Sequence, residues 1–419
     1  MRKAFVFIFA AFVCLSAFPN TVGSVTCHQR WPWDGKVEIN YVLNSSNTDP
    51  VFDVKFHVKV NGGNTRLLTD LEGDGAAGIV LGAGSKSVTW DAPQTYPSQQ
   101  MSGLQISVTA EEVTSSAKYI ILDLSDYTFS YAASTNVSTV TTGSTSKSGY
   151  IWFRRVEPGA FYMGSDSTDW GYFKSSWDYR NSEPRHEVRL TKGFYISIFE
   201  TTVAQFDKID SETVSASLVP KVRISYAYLR GSDKGATWPT YTDHRVDTNS
   251  FLGRVRSKTG NSVTIDLPTE AQFEMASRSV GDGTFLGLCC WNDGSAYDST
   301  DKKVDNNLDK VAWYKANSGS SLHEVGTKKP NLIGIYDMHG NVWEWCLDWY
   351  DNKYGLTDNE LSRVTADPVG APTSSGPKNS RRCGACGNDP IDCRIPRRAQ
   401  PGNGSTYSDY GTRLVLVQP

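Results

Sequence analysis

Three cysteines stand close together near the C-terminus, in the run Arg381-Arg-Cys-Gly-Ala-Cys-Gly-Asn-Asp-Pro-Ile-Asp-Cys-Arg394. Thiols so placed can pair as disulfides, exchange electrons as a dithiol, or hold a soft metal. Cys383 and Cys386 have the spacing of a redox pair, but such a pair opens a helix after a strand, and Gly384, Ala385 and Gly387 do not favour one. Zinc would need a second pair of ligands, and among six histidines none is placed to supply it. A disulfide is therefore the expected fate of Cys383 and Cys386. Cys289 and Cys290 are adjacent and cannot bridge each other without strain, so they are expected to bond elsewhere or lie buried. Cys346 sits among tryptophans and reads as a core thiol. Glu344 and Asp348 have the residue types for acid–base work, although a buried hydrogen-bonding role suits Glu344 better.

Positioning these groups falls to a chain of 419 residues, more than one compact core usually accommodates, so two domains are expected. The formal net charge is -3 and the pI about 6.1, which argues against a nucleic-acid partner. Arg2 and Lys3 precede an apolar run over 4–18, then small and polar residues, so residues 1–23 read as an export signal peptide. That run is too short for a membrane span, and no other segment is a candidate. The expected location is secreted, periplasmic or cell-surface, where disulfides persist.

From 25 to 130 short alternating segments, such as Val37-Glu-Ile-Asn-Tyr-Val-Leu43, are separated by Gly, Asn, Asp and Pro turns and predict an all-β sandwich of Ig-like type. Trp31, Trp33 and Trp90 could stack on a glycan, but core packing is the better reading. Residues 131–149 are mostly Ser, Thr, Val, Gly and Ala and predict a linker.

Residues 150–419 carry a succession of motifs. Phe153-Arg-Arg-Val-Glu-Pro-Gly-Ala-Phe-Tyr-Met-Gly-Ser165 opens it, and Leu267-Pro-Thr-Glu-Ala-Gln-Phe-Glu-Met-Ala-Ser-Arg278 predicts a helix capped by Thr269. Next come Asn331-Leu-Ile-Gly-Ile-Tyr-Asp-Met-His-Gly-Asn-Val-Trp-Glu-Trp-Cys-Leu-Asp-Trp-Tyr350, the cysteine run, and Tyr410-Gly-Thr-Arg-Leu-Val415. In this order they resemble the formylglycine-generating enzyme (sulfatase-modifying factor) family. The motif residues that carry the resemblance include Asn341, Trp343, Glu344, Trp345, Arg394 and Arg413. The implied fold class is a loop-rich α+β domain related to C-type lectin-like folds, preceded here by the all-β sandwich.

In catalytic members of that family two cysteines five positions apart bind copper(I) and oxygen and convert a sulfatase cysteine to formylglycine. Alignment on the cysteine followed by arginine sets Cys393 at the second position and Asn388 at the first. An amide is a poor copper(I) ligand. Cys386, seven residues before Cys393, is the candidate substitute. The resemblance also implies calcium, with Asp305, Asn307 and Asp309 the first oxygen-rich loop to inspect. Two functions compete. The preferred one is recognition of a polypeptide or glycan ligand by a divergent member without the full copper pair. The alternative is a copper-dependent oxidase acting on a sulfatase polypeptide.

Overall fold

The computed structural model describes residues 13–16, 21–29, 35–47, 49–68, 71–96, 103–114, 117–133, 143–166, 183–210, 214–231, 244–279, 291, 295–296, 304–370, 379–399 and 408–417. Trp31, Trp33, Cys289 and Cys290 lie outside the described residues.

Alternation in the N-terminal third produces two packed sheets. Lys36–Leu43 buries every second residue, as a strand with one face on a core must. It pairs with Val22–Gln29 and Gly84–Asp91, while the facing sheet is built on Val51–Lys59 and Gln105–Glu112. Val37, Ile39, Tyr41 and Trp90 meet Phe52, Val54, Phe56 and Ile106 between the layers. Trp90 is fully buried and its indole N–H donates to Thr95 Oγ1 at 2.7 Å, so it is core and no platform. Val13–Ser16 pairs in parallel with Gln105–Glu112 at the sheet edge.

The second unit is α+β with short helices. Its six-stranded sheet runs in the order Phe129–Ala132, Tyr119–Asp123, Tyr150–Val156, Phe194–Ser197, Val415–Val417, Thr264–Asp266. The sequence expectation of a sandwich over 25–130 takes in the first of these strands in part and the second entirely. They belong here because Tyr119–Asp123 is in antiparallel register with Tyr150–Val156, and Ile120 and Leu122 share a core with Phe153 and Leu416. The expected linker also contributes: Ser144–Ser148 is a helical turn whose Lys147 is buried and pairs with Glu324 at 3.0 Å. A Ser/Thr-rich segment can dock through backbone groups, and the Lys147 carbonyl accepts from Thr202 Oγ1 at 2.9 Å.

Helix Glu270–Ser277 starts at Thr269, whose side chain accepts from the Gln272 N–H at 3.1 Å while Gln272 Oε1 accepts from the Thr269 N–H at 2.9 Å, a reciprocal capping box. Seven of its eight residues are buried, two of them glutamates, which marks it as an internal support. The two units meet through Val51, Ile79 and Leu81 of the sandwich against Ile120, Leu122 and Ile151. Buried Asp49 adds a polar joint: its Oδ2 accepts from the Gly193 N–H at 2.8 Å and lies 3.8 Å from Arg155. Among the described residues no helix is long and apolar enough to cross a membrane.

Candidate functional site

The segment 331–342 is an irregular turn system feeding the strand Trp343–Trp349. Gly340 is at φ 70, and a Cβ there would stand 2.1 Å from the Trp313 carbonyl, so only glycine fits. The Gly340 N–H donates to Cys383 O at 2.8 Å and the Asn341 N–H to Trp313 O at 2.7 Å, which ties three distant segments together. All seven residues of the strand are buried. Trp345 donates its indole N–H to Ile224 O at 2.8 Å and meets Tyr226 and Tyr410 edge-on. Arg381 lies 4.5 Å over the Trp343 ring. These tryptophans are scaffold, leaving no ring face for a ligand.

Against this strand lies a buried charge centre. Arg413 donates to both carboxylate oxygens of Glu344, at 3.0 Å each, and to the carbonyls of Ser197 at 2.8 Å and Tyr336 at 2.9 Å. Glu200 accepts from Asn341 Nδ2 at 2.6 Å and the Val342 N–H at 3.2 Å. Asp337 accepts from the Gly326 N–H at 2.6 Å, but its Oδ1 is buried with no hydrogen-bond partner. Three fully buried carboxylates thus lie within reach of the Arg413 charge, which is bonded to Glu344, while Lys147 and Lys328 act on Asp337 as well. Burial pushes Glu200 well above the usual carboxylate range, with the charges of Asp337 and Glu344 adding to it, and burial also raises Asp337 and Glu344. Neither Glu344 nor Asp348 is open to a reacting group. Asp348 accepts the Glu270 N–H at 2.8 Å and, through burial and then the Glu270 charge, is pushed up to about 8.

A second ionic network lies beneath. Arg398 grips Glu270, with Nε 2.7 Å from Oε2, and Arg382 bridges Glu270 at 2.9 Å and Glu274 at 2.6 Å. Arg394 is buried too and pairs with Glu183 at 3.1 Å, a carboxylate that also accepts from Ser165 Oγ at 3.1 Å. Glu200, Asp337, Glu274 and Glu183 carry no site expectation from sequence, and Glu270 only that of an acid at a helix start. Most of their charged partners lie tens to hundreds of residues away; the local signals are the acids interrupting the apolar positions of 270–277 and the i,i+4 pair Glu274–Arg278 at 2.7 Å.

The cysteine run folds back on this centre. Cys383 and Cys386 do not form the expected disulfide. They are thiols, as are Cys346 and Cys393. The reason is geometric: Cys383 is at φ 90 and its sulfur turns into the signature loop, 3.3 Å from Asp337 O and 3.4 Å from Gly340 O. Cys393 ends the 3-10 turn Pro390–Cys393 and is fully buried among Trp291, Leu308, Val311, Ala312 and Tyr314. Its carbonyl accepts from His339 Nδ1 at 2.6 Å. Burial pushes its thiol well above the ordinary value, and the carboxylates of Asp392 and Asp389 act the same way. Burial also raises Cys386, followed by the charges of Asp409 and Glu200.

Asn388 cannot stand in as a donor. Its Oδ1 accepts from the Ala385 N–H at 2.8 Å and its N–H donates to Ala385 O at 2.9 Å, so the side chain closes its own turn. A copper(I) pair requires two accessible thiolates. One amide engaged with backbone and a Cys393 thiol wholly enclosed by apolar side chains do not supply that pair of accessible donors.

The loop named for calcium is also committed to local bonds. Asp305 Oδ1 accepts from the Asn307 and Leu308 N–H groups at 2.9 and 2.8 Å, closing the turn that leads into Leu308–Val311. Asn307 donates to Ala296 O at 2.9 Å and accepts from Lys310 at 2.8 Å, while Asp309 accepts from Asn317 at 3.2 Å. These side chains do not converge on a common point, and among the described residues no cluster of three metal-type side chains occurs. The unpartnered acceptor, Asp337 Oδ1, is elsewhere.

A loop-rich α+β unit, closed by a tryptophan-bearing internal strand and by arginines buried on glutamates, is a formylglycine-generating-enzyme-like fold. The chain belongs to the family of the sulfatase-modifying factor enzyme 1-like domain, whose model matches residues 152–417. It is 29% identical over 267 residues to serine/threonine-protein kinase Pkn1 of Chlamydia trachomatis serovar L2, covering 62% of this chain and 37% of that one. It is also 29% identical over 123 residues to the formylglycine-generating enzyme of Thermomonospora curvata, covering 26% and 35% of the two chains. The chain thus spans little more than a third of each of these curated relatives. Among solved structures, PvdO from Pseudomonas aeruginosa is 19% identical with a TM-score of 0.46, covering 64% of this chain and 94% of PvdO.

Proposed function

We propose that this protein is an exported recognition protein, in which the sulfatase-modifying factor scaffold is retained for binding a polypeptide or glycan and the copper oxidase chemistry is absent. One observation carries the reading: Cys393, the surviving family cysteine, is 0% exposed inside an apolar cluster while Asn388 is spent on its own turn. A substrate thiol has no route to a sulfur so placed, and function follows the site and not the fold.

The test is an anaerobic copper(I) titration of the reduced protein against a competing chelator, with Cys393→Ser and Cys386→Ser alongside. Weak binding, equal in all three proteins, is expected. Tight stoichiometric binding lost in both variants would overturn the reading and restore the second one, a copper-dependent oxidase acting on a sulfatase polypeptide, which family membership favours.

A further inference from the structure

The sandwich has a sheet edge on which a strand is already seated. Gln105–Glu112 runs its full length against Val51–Lys59, in unbroken register from Lys59 opposite Gln105 to Phe52 opposite Glu112. Its other side carries Val13–Ser16, which pairs in parallel, Val13 with Gln105 through Ser16 with Val108. Only the first half of the edge is taken in this way. Among the described residues Thr109–Glu112 has a strand partner on one side alone.

This edge lacks the devices that keep an exposed strand from pairing. Gln105-Ile-Ser-Val-Thr-Ala110 holds no lysine, proline or bulge, and its inward positions Ile106, Val108 and Ala110 are all buried. The other long edge of the sandwich, Val22–Gln29, is broken by a register irregularity between Val22 and Val25. Val13–Ser16 lies within residues 1–23, the segment that export would remove. Its removal uncovers a row of backbone N–H and C=O groups on a strand whose opposite side is fully paired.

The seated strand also describes its replacement. Two copies of the chain paired edge to edge, across a two-fold axis perpendicular to the sheet, would run antiparallel, whereas the strand that fits here runs parallel. Ile106 and Val108 continue the buried face, so an added strand needs apolar or small residues at the alternate positions beside them. At the far end Glu111 is exposed, which favours a basic residue opposite it. We infer that, once the N-terminal segment is removed, the Gln105–Ala110 edge binds an extended segment of a partner protein as an added parallel strand, apolar at alternate positions and basic at its C-terminal end. The inference rests on the export reading and gives the polypeptide branch of the recognition reading its site.

The test titrates the chain, secreted by a host cell and with its N-terminus read by mass spectrometry, into a fluorescent peptide followed by anisotropy. The peptide is residues 11–18 with Cys14→Ser and a lysine pair added at its C-terminus. Saturable binding to the processed chain is expected, weakened about ten-fold or more in a chain that starts at residue 11 and so keeps its own strand. N-methylation of alternate peptide residues supplies the signature of strand addition. In a parallel pair alternate residues direct both N–H and C=O at the neighbour, so one methylated set should lose about ten-fold or more and the other stay within about two-fold. No binding to the processed chain, equal loss from both methylated sets or from neither, or a concentration-dependent dimer in sedimentation that excludes the peptide would each overturn the inference with export intact. An N-terminus still at Met1 after secretion would instead remove the processing on which the inference rests, and the inference with it, since the edge would stay covered.

Discussion

Replacing Arg413 by methionine removes the guanidinium bonded to Glu344 and keeps the volume of the side-chain stem. In the native protein Arg413 makes two bonds of 3.0 Å to that carboxylate and donates to Ser197 O and Tyr336 O. Both partners are 0% exposed, so no water can take over. Breaking a buried pair from one side costs about 3–5 kcal/mol, because the remaining charge is uncompensated. Glu344, Glu200 and Asp337 would then stand together without a cation bonded to Glu344.

The loss should depend on pH in a definite direction. Burial already raises these carboxylates, and a raised carboxylate favours folding below its unfolded value and loses that contribution as pH rises through the folded value. In Arg413→Met the folded values move further up, so the deficit against wild type should be larger at pH 8 than at pH 5. Urea unfolding followed by tryptophan fluorescence at both pH values measures it. Adding Glu344→Gln should recover part of the loss at pH 8, giving a coupling term in the double-mutant cycle. A deficit under about 1 kcal/mol that is flat with pH would refute the argument that the centre is desolvated and short of positive charge.

Two further outcomes follow from the same region. Asp348, pushed up to about 8 by burial and the Glu270 charge, holds a proton in the folded state that the unfolded chain releases near 4, so wild-type stability should fall between about pH 4 and pH 8. Asp348→Asn should flatten that slope in the same urea series, and an unchanged slope would remove Asp348 as its source. Gly340→Ala would push a methyl into the Trp313 carbonyl, 2.1 Å away, at a residue with φ 70; loss of soluble folded protein is expected, and a near-native Tm would contradict the turn geometry.

The parts of the fold legible in the sequence are those fixed by local period and local chemistry. Alternation at 36–43 specifies its buried face without outside help, and Thr269 with Gln272 closes a cap within four residues. The Glu344–Arg413 bond was not legible as a pair, because 69 positions separate its members and nothing local to either names the other. Buried arginines on Glu183, Glu270 and Glu274 were hidden for the same reason, charged residues being surface residues by default. The Cys383–Cys386 spacing misled because spacing sets how near two sulfurs can come and not where they point. A positive φ at Cys383 aims its sulfur at Asp337 O.

The seam between the two units bears on how the gene can be divided. The family match starts at 152, yet the strand Tyr150–Val156 is flanked on its outer side by Tyr119–Asp123, and that strand by Phe129–Ala132. A fragment cut at the family boundary would strip two strands from its principal sheet and leave Phe153 without its neighbours Ile120 and Leu122. It would also lose Asp49 from the Gly193 N–H. Shuffling this module between proteins therefore requires carrying its upstream hairpin along, and the autonomous heritable unit is longer at its N-terminal end than the stretch that is similar in sequence.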